Sequence, residues 1–288
     1  MRYAYLGPEG TFTESAVRRL APSTRQTAPF PTVPAAVEAL RSGRFARAVV
    51  PLENSVSGVV PPTLGELVAH AGQLRIDAQV TIGVTFALMA AEGTRLSDVR
   101  RVVSHPHALG QCRQWVERHL PHAETVIADS TAAAAVALAQ GGAATDAAIA
   151  APETAARYGL SVLAHDIGTR RDAMTRFVSL RRSGPDGPPT GQDRTALLIT
   201  SDRSDPGVLT GVLGELSRRQ VSIAWIQSWP RLTARGRYHF LVEVDRHLAH
   251  PGLAEAVEAM RRSVDSLSLL GSYPYIVDRE VKGEKAAA

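Results

Sequence analysis

Residues 181–194 read RRSGPDGPPTGQDR, a run of Pro, Gly and charge in which no apolar residue recurs at the period of a strand or a helix. Nothing else constrains the chain as strongly, because a segment that cannot build a core must lie between parts that can. The 288 residues therefore divide into a longer N-terminal part and a shorter C-terminal one, in keeping with the usual number of domains at this length. Hydrophobic residues at 44% and charged residues at 21% place both parts among globular folds rather than disordered chains.

Before the break, short β-branched runs alternate with helical patterns. Residues 2–6, 46–50, 82–89 and 99–104 read as strands, and 13–20 and 34–40 as helices. Thr11 with Glu14 three positions on forms a capping box, Pro106 suits a first helical turn, and Ser130 or Thr131 caps the alanine-rich stretch 132–139. This is an α/β layout, and each capped helix start is also a seat for an anion. After the break come strand 195–200, helix 207–219, strand 222–229, strand 238–244, helix 252–262 and strand 266–273. That βαββαβ order predicts a ferredoxin-like sandwich, with Val208, Leu209, Val212, Leu213 and Leu216 sharing one face of its first helix. The alternation of Tyr238, Phe240, Val242 and Val244 predicts a sheet covered on one side.

Composition narrows the function classes. The formal charge is +4, yet the 32 basic residues are scattered, in doublets at most (Arg100-Arg101, Arg170-Arg171, Arg181-Arg182), so no nucleic-acid stripe is present. The excess fits a small anionic substrate or simply solvated faces. MRYAYLGPEG holds no apolar run, so neither a secretory nor a membrane-spanning start is read and the expected compartment is the cytoplasm. Cys112 is the one cysteine, which rules out an intrachain disulfide and a cysteine-based metal site, and it reads as a small buried apolar residue. Of the nine histidines, His105 and His107 are two apart with no third ligand fixed nearby, and no metal is expected.

Four segments resemble the prephenate dehydratase family: YLGPEGTFTESA (5–16), VVPLENSVSGVV (49–60), VVSHPHALGQC (102–112) and MTRFVSL (174–180). With STAAAA from Ser130, they stand in the family's order. The C-terminal part resembles that family's ACT domain through DPGVLTGVLGEL (205–216), IQSWP (226–230) and LLGSYP (269–274). The resemblance implies a catalytic domain over residues 1–180, a linker at 181–193, an ACT domain at 194–276 and a disordered tail at 277–288. The catalytic domain is then two α/β lobes, like those of periplasmic binding proteins, with the site in the cleft between them. One lobe is expected at 1–77 plus about 165–180 and the other between.

Prephenate carries a ring carboxylate, a pyruvyl carboxylate and an allylic ring hydroxyl. Loss of carbon dioxide and that hydroxyl makes the ring aromatic, so the enzyme must hold two negative charges and assist a departing hydroxide, without metal, cofactor or covalent nucleophile. By resemblance Thr175 sits at the leaving hydroxyl, Asn54 and Gln111 complete the catalytic set, and Arg176 suits a carboxylate. Phe177, Glu53, Ser55, Gly10 and Thr11 are the further substrate-site candidates. Each has a plainer use: Asn54 and Ser55 in a turn, Gln111 on an exposed helix face, Gly10 and Thr11 in a strand-to-helix turn, Thr175 to Phe177 beginning a strand. Effector contacts for phenylalanine are expected at Asp205, Gly207, Val208, Leu209, Ser222, Ile223, Gln227 and Ser228, and the ACT domain implies a homodimer or homotetramer.

Three departures from the family pattern stand out. Asp172 and Ala173 occupy the places before the Thr-Arg-Phe triplet where an asparagine is usual, and His107 replaces a glutamine. Gln227-Ser228-Trp229-Pro230 replaces Glu-Ser-Arg-Pro, which would weaken an effector response; Trp225 and Trp229 share a face and alternatively pack a domain interface. The first departure keeps open a non-aromatising prephenate decarboxylase, and no residue excludes arogenate as substrate. From another class, a lobe pair with an ACT domain could serve as a non-catalytic amino-acid sensor.

Overall fold

The computed structural model describes residues 1–201, 207–231 and 238–277. The first lobe contains β1 (Tyr3–Leu6), α1 (Phe12–Leu20), β2 (Thr27–Phe30), α2 (Val33–Arg41), β3 (Arg47–Asn54), β4 (Gly58–Val59), α3 (Pro61–Ala69) and β5 (Leu74–Gly83). The second holds β6 (Ala87–Ala90), β7 (Arg101–Ser104), α4 (Pro106–His119), β8 (Glu124–Ile127), α5 (Thr131–Ala139), β9 (Asp146–Ala150), α6 (Pro152–Tyr158) and β10 (Ser161–Ala164). The chain then returns to the first lobe as β11 (Met174–Arg182). A third unit follows: β12 (Asp193–Ser201), α7 (Val208–Arg218), β13 (Ile223–Pro230), β14 (Tyr238–Val244), α8 (Pro251–Arg261) and β15 (Ser266–Val277). Its βαββαβ order is the one the periodicity predicts.

The lobe boundary lies later than residue 77. β5 stays in the first sheet to Gly83, so the run read as one strand over 82–89 is the end of β5, a crossing at residues 84–86, and β6. The two crossing segments bond to each other, Val84 N–H to the Ala173 carbonyl at 2.7 Å and Ile167 N–H to that of Phe86 at 3.1 Å. The second sheet runs β10-β6-β9-β7-β8. Its β9, DAAIA, is buried at every position, so packing on both faces overrides the helical preference of alanine, and periodicity alone misses it.

The largest difference concerns the third unit. Among the described residues its strands continue the first lobe's sheet, in the order β13-β14-β12-β15-β5-β11-β3-β1-β2. The join is made by β15, which is antiparallel to β12 through its first part and then parallel to β5 over Tyr275↔Gln79 to Val277↔Thr81. Val277, assigned above to a tail, is thus in a strand; residues 278–288 lie outside the described residues. The third sheet is also covered on both faces, not one. Val242 and Val244 meet α7 and α8, while Ala196, Leu198, Leu241, Leu270 and Tyr273 share a core with α2, α3 and β11 of the first lobe. Each such fully buried side chain contributes about 1.5–3 kcal/mol, so the association is that of a domain interior.

The Pro/Gly segment is accordingly docked rather than free. Arg181 and Arg182 still pair with Arg75 and Leu74 as part of β11. Arg181 bridges to Asp186 at 2.8 Å, Asp186 accepts from Ser272 N–H at 3.1 Å, and Asp193 accepts from Thr190 N–H at 2.7 Å.

Gly271 is where β15 crosses β5. Its φ is +133°, and a Cβ there would lie 2.2 Å from the Ile76 carbonyl oxygen. A backbone atom cannot yield as a side chain can. Gly271→Ala is expected to destabilise the protein by about 2–3 kcal/mol, read as a thermal midpoint several degrees lower; an unchanged midpoint would show that the crossing is dispensable.

Candidate functional site

β3 and β11 pair antiparallel with Thr175 opposite Asn54 and Arg176 opposite Glu53. Because a strand alternates its faces, the two rungs point opposite ways. Thr175 and Asn54 meet on the α1 side: Asn54 Nδ2 donates to Thr175 Oγ1 at 2.8 Å, both residues being 8% exposed. The amide cannot be turned round, since Asn54 Oδ1 accepts from the backbone N–H groups of Val56 at 2.9 Å and Ser57 at 3.0 Å. Ser55 closes the turn, its N–H bonding to the Met174 carbonyl and its Oγ accepting from Met174 N–H, each at 2.9 Å. Thr175 therefore receives a hydrogen bond from a fixed amide, and no acceptor among the described residues takes its own hydroxyl proton.

The opposite rung faces the third unit. Arg176, 8% exposed, forms an ion pair with Glu243 of β14 and a second with Glu53 at 3.3 Å, and its guanidinium lies 4.6 Å from the Trp225 ring centre. Trp225 Nε1–H donates to Glu53 at 3.0 Å, and the Tyr273 hydroxyl to Glu243 at 2.9 Å. The carboxylate ligand expected at Arg176 is thus supplied by the protein. Phe177 is 2% exposed in the core with Tyr5, Val17 and Val80, so it supports the strand instead of lining a cleft. Glu243 and Tyr273 escape sequence reading, and Trp225 reads there only as part of an interface pair. The available hint was Leu241, an apolar residue on the face of β14 read as solvent-exposed.

Gln111 comes from the second lobe. It is 7% exposed on α4; its side-chain amide contacts His107, and its backbone carbonyl accepts from Thr169 N–H at 2.9 Å and Thr169 Oγ1 at 2.8 Å. Burial, then His105, pushes the His107 pKa down, so a neutral ring accepts from the amide nitrogen. That leaves Gln111 Oε1 buried and unpaired. His107 is therefore engaged with Gln111 rather than simply facing solvent. Cys112 is fully buried and its thiol is pushed up to about 12 by burial, which makes it inert.

Between the lobes, three helices of the second begin at one edge of its sheet, because parallel β7, β8 and β9 lead directly into α4, α5 and α6. Their N-termini carry partial positive charge. α5, capped by Ser130 Oγ accepting from Ala133 N–H at 3.0 Å, borders a cavity of about 500 Å³ shared with Leu6, Gly7, Pro8 and Phe30 of the first lobe. α6 closes against the start of α1. Thr154 Oγ1 donates to the Gly10 carbonyl at 2.9 Å, Tyr158 OH to that of Glu9 at 3.0 Å, and Arg157 pairs with Glu9 and, at 2.9 Å, with Glu14. Gly10 N–H donates to Glu14 at 2.6 Å, and Thr11 caps α1 while donating to the Pro8 carbonyl at 3.1 Å. Gly10 and Thr11 are thus spent on helix entry and interlobe contact.

Asp172 is exposed and held by Arg170 at 2.9 Å, which lowers its pKa. Gly207 precedes α7, Val208 and Leu209 form its first turn, and Ser222, Ile223, Gln227 and Ser228 lie at or in β13; Asp205 falls outside the described residues. Trp229 packs beside Trp225 against the first lobe's core, which realises the interface reading of the tryptophan pair.

Residues 3–185 match the family model described as prephenate dehydratase. A prephenate dehydratase of Mycolicibacterium vanbaalenii is 41% identical over 285 residues, covering 94% of this chain and 90% of that one. The crystal structure of a prephenate dehydratase from Arthrobacter aurescens in complex with L-Phe superposes with a TM-score of 0.88 at 37% identity, covering 100% of this chain and 93% of that one. GqqA, described as a novel type of quorum quenching acylase, superposes at 0.86 with 28% identity over 96% of this chain and 98% of its own.

Burial alone would raise the Glu14 pKa, but the Gly10 amide, Arg18 and Arg157 together hold it below the usual carboxylate range. A depressed folded pKa adds stability above the unfolded value, near 4.3, and loses it as pH falls through the folded one. Glu14→Gln should therefore lower the thermal midpoint at pH 7 and converge on the unsubstituted protein as pH approaches about 3. Parallel curves across that range would show that the Glu14 charge is not what joins the lobes.

Proposed function

Because the chain belongs to the prephenate dehydratase family, we infer that it converts prephenate to phenylpyruvate with loss of carbon dioxide and water, a step toward phenylalanine. The observation that carries this reading is the Thr175–Asn54 pair, in which an amide fixed by two backbone N–H groups occupies the threonine oxygen and leaves its proton to be donated outward. The bond from the ring to its carboxylate breaks, that electron pair enters the ring, and the C–O bond to the hydroxyl breaks. One proton is taken up as hydroxide leaves as water. Threonine is too weak an acid to supply that proton itself, so its part is to hydrogen-bond the developing hydroxide while solvent balances the charge.

The two substrate carboxylates need donors other than Arg176. The helix starts along the second lobe's sheet edge supply them, and with Asn54, Ser55 and Gln111, whose unpaired Oε1 can accept a hydrogen bond, they make up the site we assign. Asp172 bears on neither Thr175 nor Asn54, since its charge is answered by Arg170 at the surface. That weakens the decarboxylase alternative. The partner of Thr175 is an amide and not a base, which fits hydrogen-bond donation better than the nucleophilic attack an acylase requires.

The third unit reads as an ACT domain that takes phenylalanine at the start of α7 and along β13, supported by the L-Phe complex of the Arthrobacter relative. Ile223 and Ile226, 38% and 40% exposed on the outermost strand, favour association of copies there as a dimer or tetramer. No helix among the described residues is long and apolar enough to cross a membrane, and the reading keeps the cytoplasm as the compartment.

Incubation with prephenate near neutral pH should yield phenylpyruvate, followed by its ultraviolet absorbance. Thr175→Val should lower kcat about 10²–10³-fold, as loss of one aimed donor does, while Thr175→Ser retains most of it. A decarboxylated, non-aromatic product would replace the dehydratase reading. Binding without turnover in the unsubstituted protein would leave a sensor.

A further inference from the structure

The Arg176 cluster is not needed for the chemistry as written, yet it joins the reacting pair to a different unit of the chain. Four of its members are nearly inaccessible: Arg176 at 8%, Glu243 and Gln79 at 2%, and Tyr273 at 0% exposure. Burial and then the Glu243 charge hold the Tyr273 hydroxyl protonated, so it serves as a donor to that carboxylate. Arg176 Nε lacks a hydrogen-bond partner, Nη2 has only the ion pair with Glu53 at 3.3 Å, and the Gln79 contact is long at 3.4 Å. The guanidinium is therefore held by the charges of Glu243 and Glu53 and by the Trp225 ring.

The position of these contacts along the chain matters more than their number. Arg176 follows Thr175 directly, and Glu53 precedes Asn54 directly. Glu243 holds the first of these neighbours and Trp225 the second. The β3–β11 ladder slips at a bulge between Arg176 and Phe177, one rung beyond Thr175–Asn54. A bulge leaves one residue unpaired and relaxes the register beside it. The Thr175–Asn54 rung thus sits in a short β3–β11 segment, in which β5 holds the β11 side without a break and contacts from outside bear on the pairing with β3.

We propose that Glu243, acting through Arg176 and assisted by Trp225 through Glu53, is a positioning residue of the third unit that sets the geometry of the Thr175–Asn54 pair. The third unit thereby completes the active site without touching substrate. The kinetic part of this proposal rests on the dehydratase reading; the structural part does not.

Two readouts on the full-length protein keep those apart. The first is amide hydrogen exchange of peptides covering residues 53–57 and 174–177. Glu243→Gln, which keeps the shape and removes the charge, should raise exchange there at least tenfold, while the second lobe's β7 and β9 stay unchanged. The second is steady-state turnover of prephenate well below the thermal midpoint. Glu243→Gln should lower kcat about 10–100-fold with KM within about twofold, since a displaced donor loses transition-state contact more than ground-state binding. Glu243→Asp should recover most of the rate, and Trp225→Phe, which keeps the ring over Arg176 but loses the N–H, should show a smaller loss of kcat.

If Glu243→Gln changes stability alone, with exchange at 53–57 and 174–177 and kcat both as in the unsubstituted protein, the cluster merely holds the unit in place and the proposal is overturned. Raised exchange with unchanged kcat overturns its catalytic part. Should Glu243→Gln fail to fold, Trp225→Phe decides by the same two readouts. An unsubstituted protein that leaves prephenate untouched sinks the dehydratase reading, while exchange still decides whether Glu243 positions the pair.

Discussion

Arg176 carries a permanent charge into the interior, and a buried guanidinium costs several kcal/mol unless acceptors surround it. Its acceptors come from two places, Glu53 one strand away in the first lobe and Glu243 in the C-terminal unit. Neither the lobe nor the unit could bury this charge alone. Much of the architecture answers that constraint. The third sheet presents its helix-free face to the first lobe, Leu241 and Leu198 seal the surroundings against water, and Tyr273 and Trp225 satisfy the carboxylates from behind. Replacing the whole cluster by apolar residues could leave stability unaltered. What the charges add is a defined register between two units that hydrophobic contact alone would fix less sharply.

The cleft follows a different logic. Strand order in the second lobe places three helix starts on one edge, so a basic field arises from backbone dipoles rather than from a cluster of basic side chains. In the sequence the scattered arginines fit a small anionic substrate or simply solvated faces. Most of those near the site are committed to partners, Arg157 to Glu9 and Glu14, Arg170 to Asp172, Arg176 to the interior. The lobes touch through Gly10, where a φ of +83° and a 3.3 Å approach of its Cβ position to the Tyr158 ring make any side chain strained and tight. A glycine read as a substrate-site candidate, or more plainly as part of a strand-to-helix turn, is an interlobe contact.

Local signals in the sequence were legible where local physics governs. Thr11, Ser130 and Pro106 start helices as their chemistry requires, and the βαββαβ order of the C-terminal part follows from its apolar periods. The Thr175–Asn54 pair was reachable through motif resemblance, though the fixed direction of the amide depends on the turn at Val56 and Ser57. What stayed hidden was non-local. A Pro/Gly segment looks like a tether whether or not it is docked, because its docking partners, Ser272 and Gln73, lie far away in sequence. Alternation in β14 predicted one covered face, and only the cross-unit core reveals the second. Arg176 suited a carboxylate, as its chemistry said, but the carboxylates belong to the protein.

β15 gives the chain an unusual order of assembly. β5 is bonded on one side by β11 and on the other only by Tyr275 to Val277. During synthesis both lobes can therefore emerge with every other strand in hand while one edge of β5 stays open until residues 275–277 have been made. An open strand edge is a template for pairing with the wrong chain. A chain cut short before Tyr275 would have both lobes complete but an open sheet, so residues 275–277 guard the whole protein against mispairing.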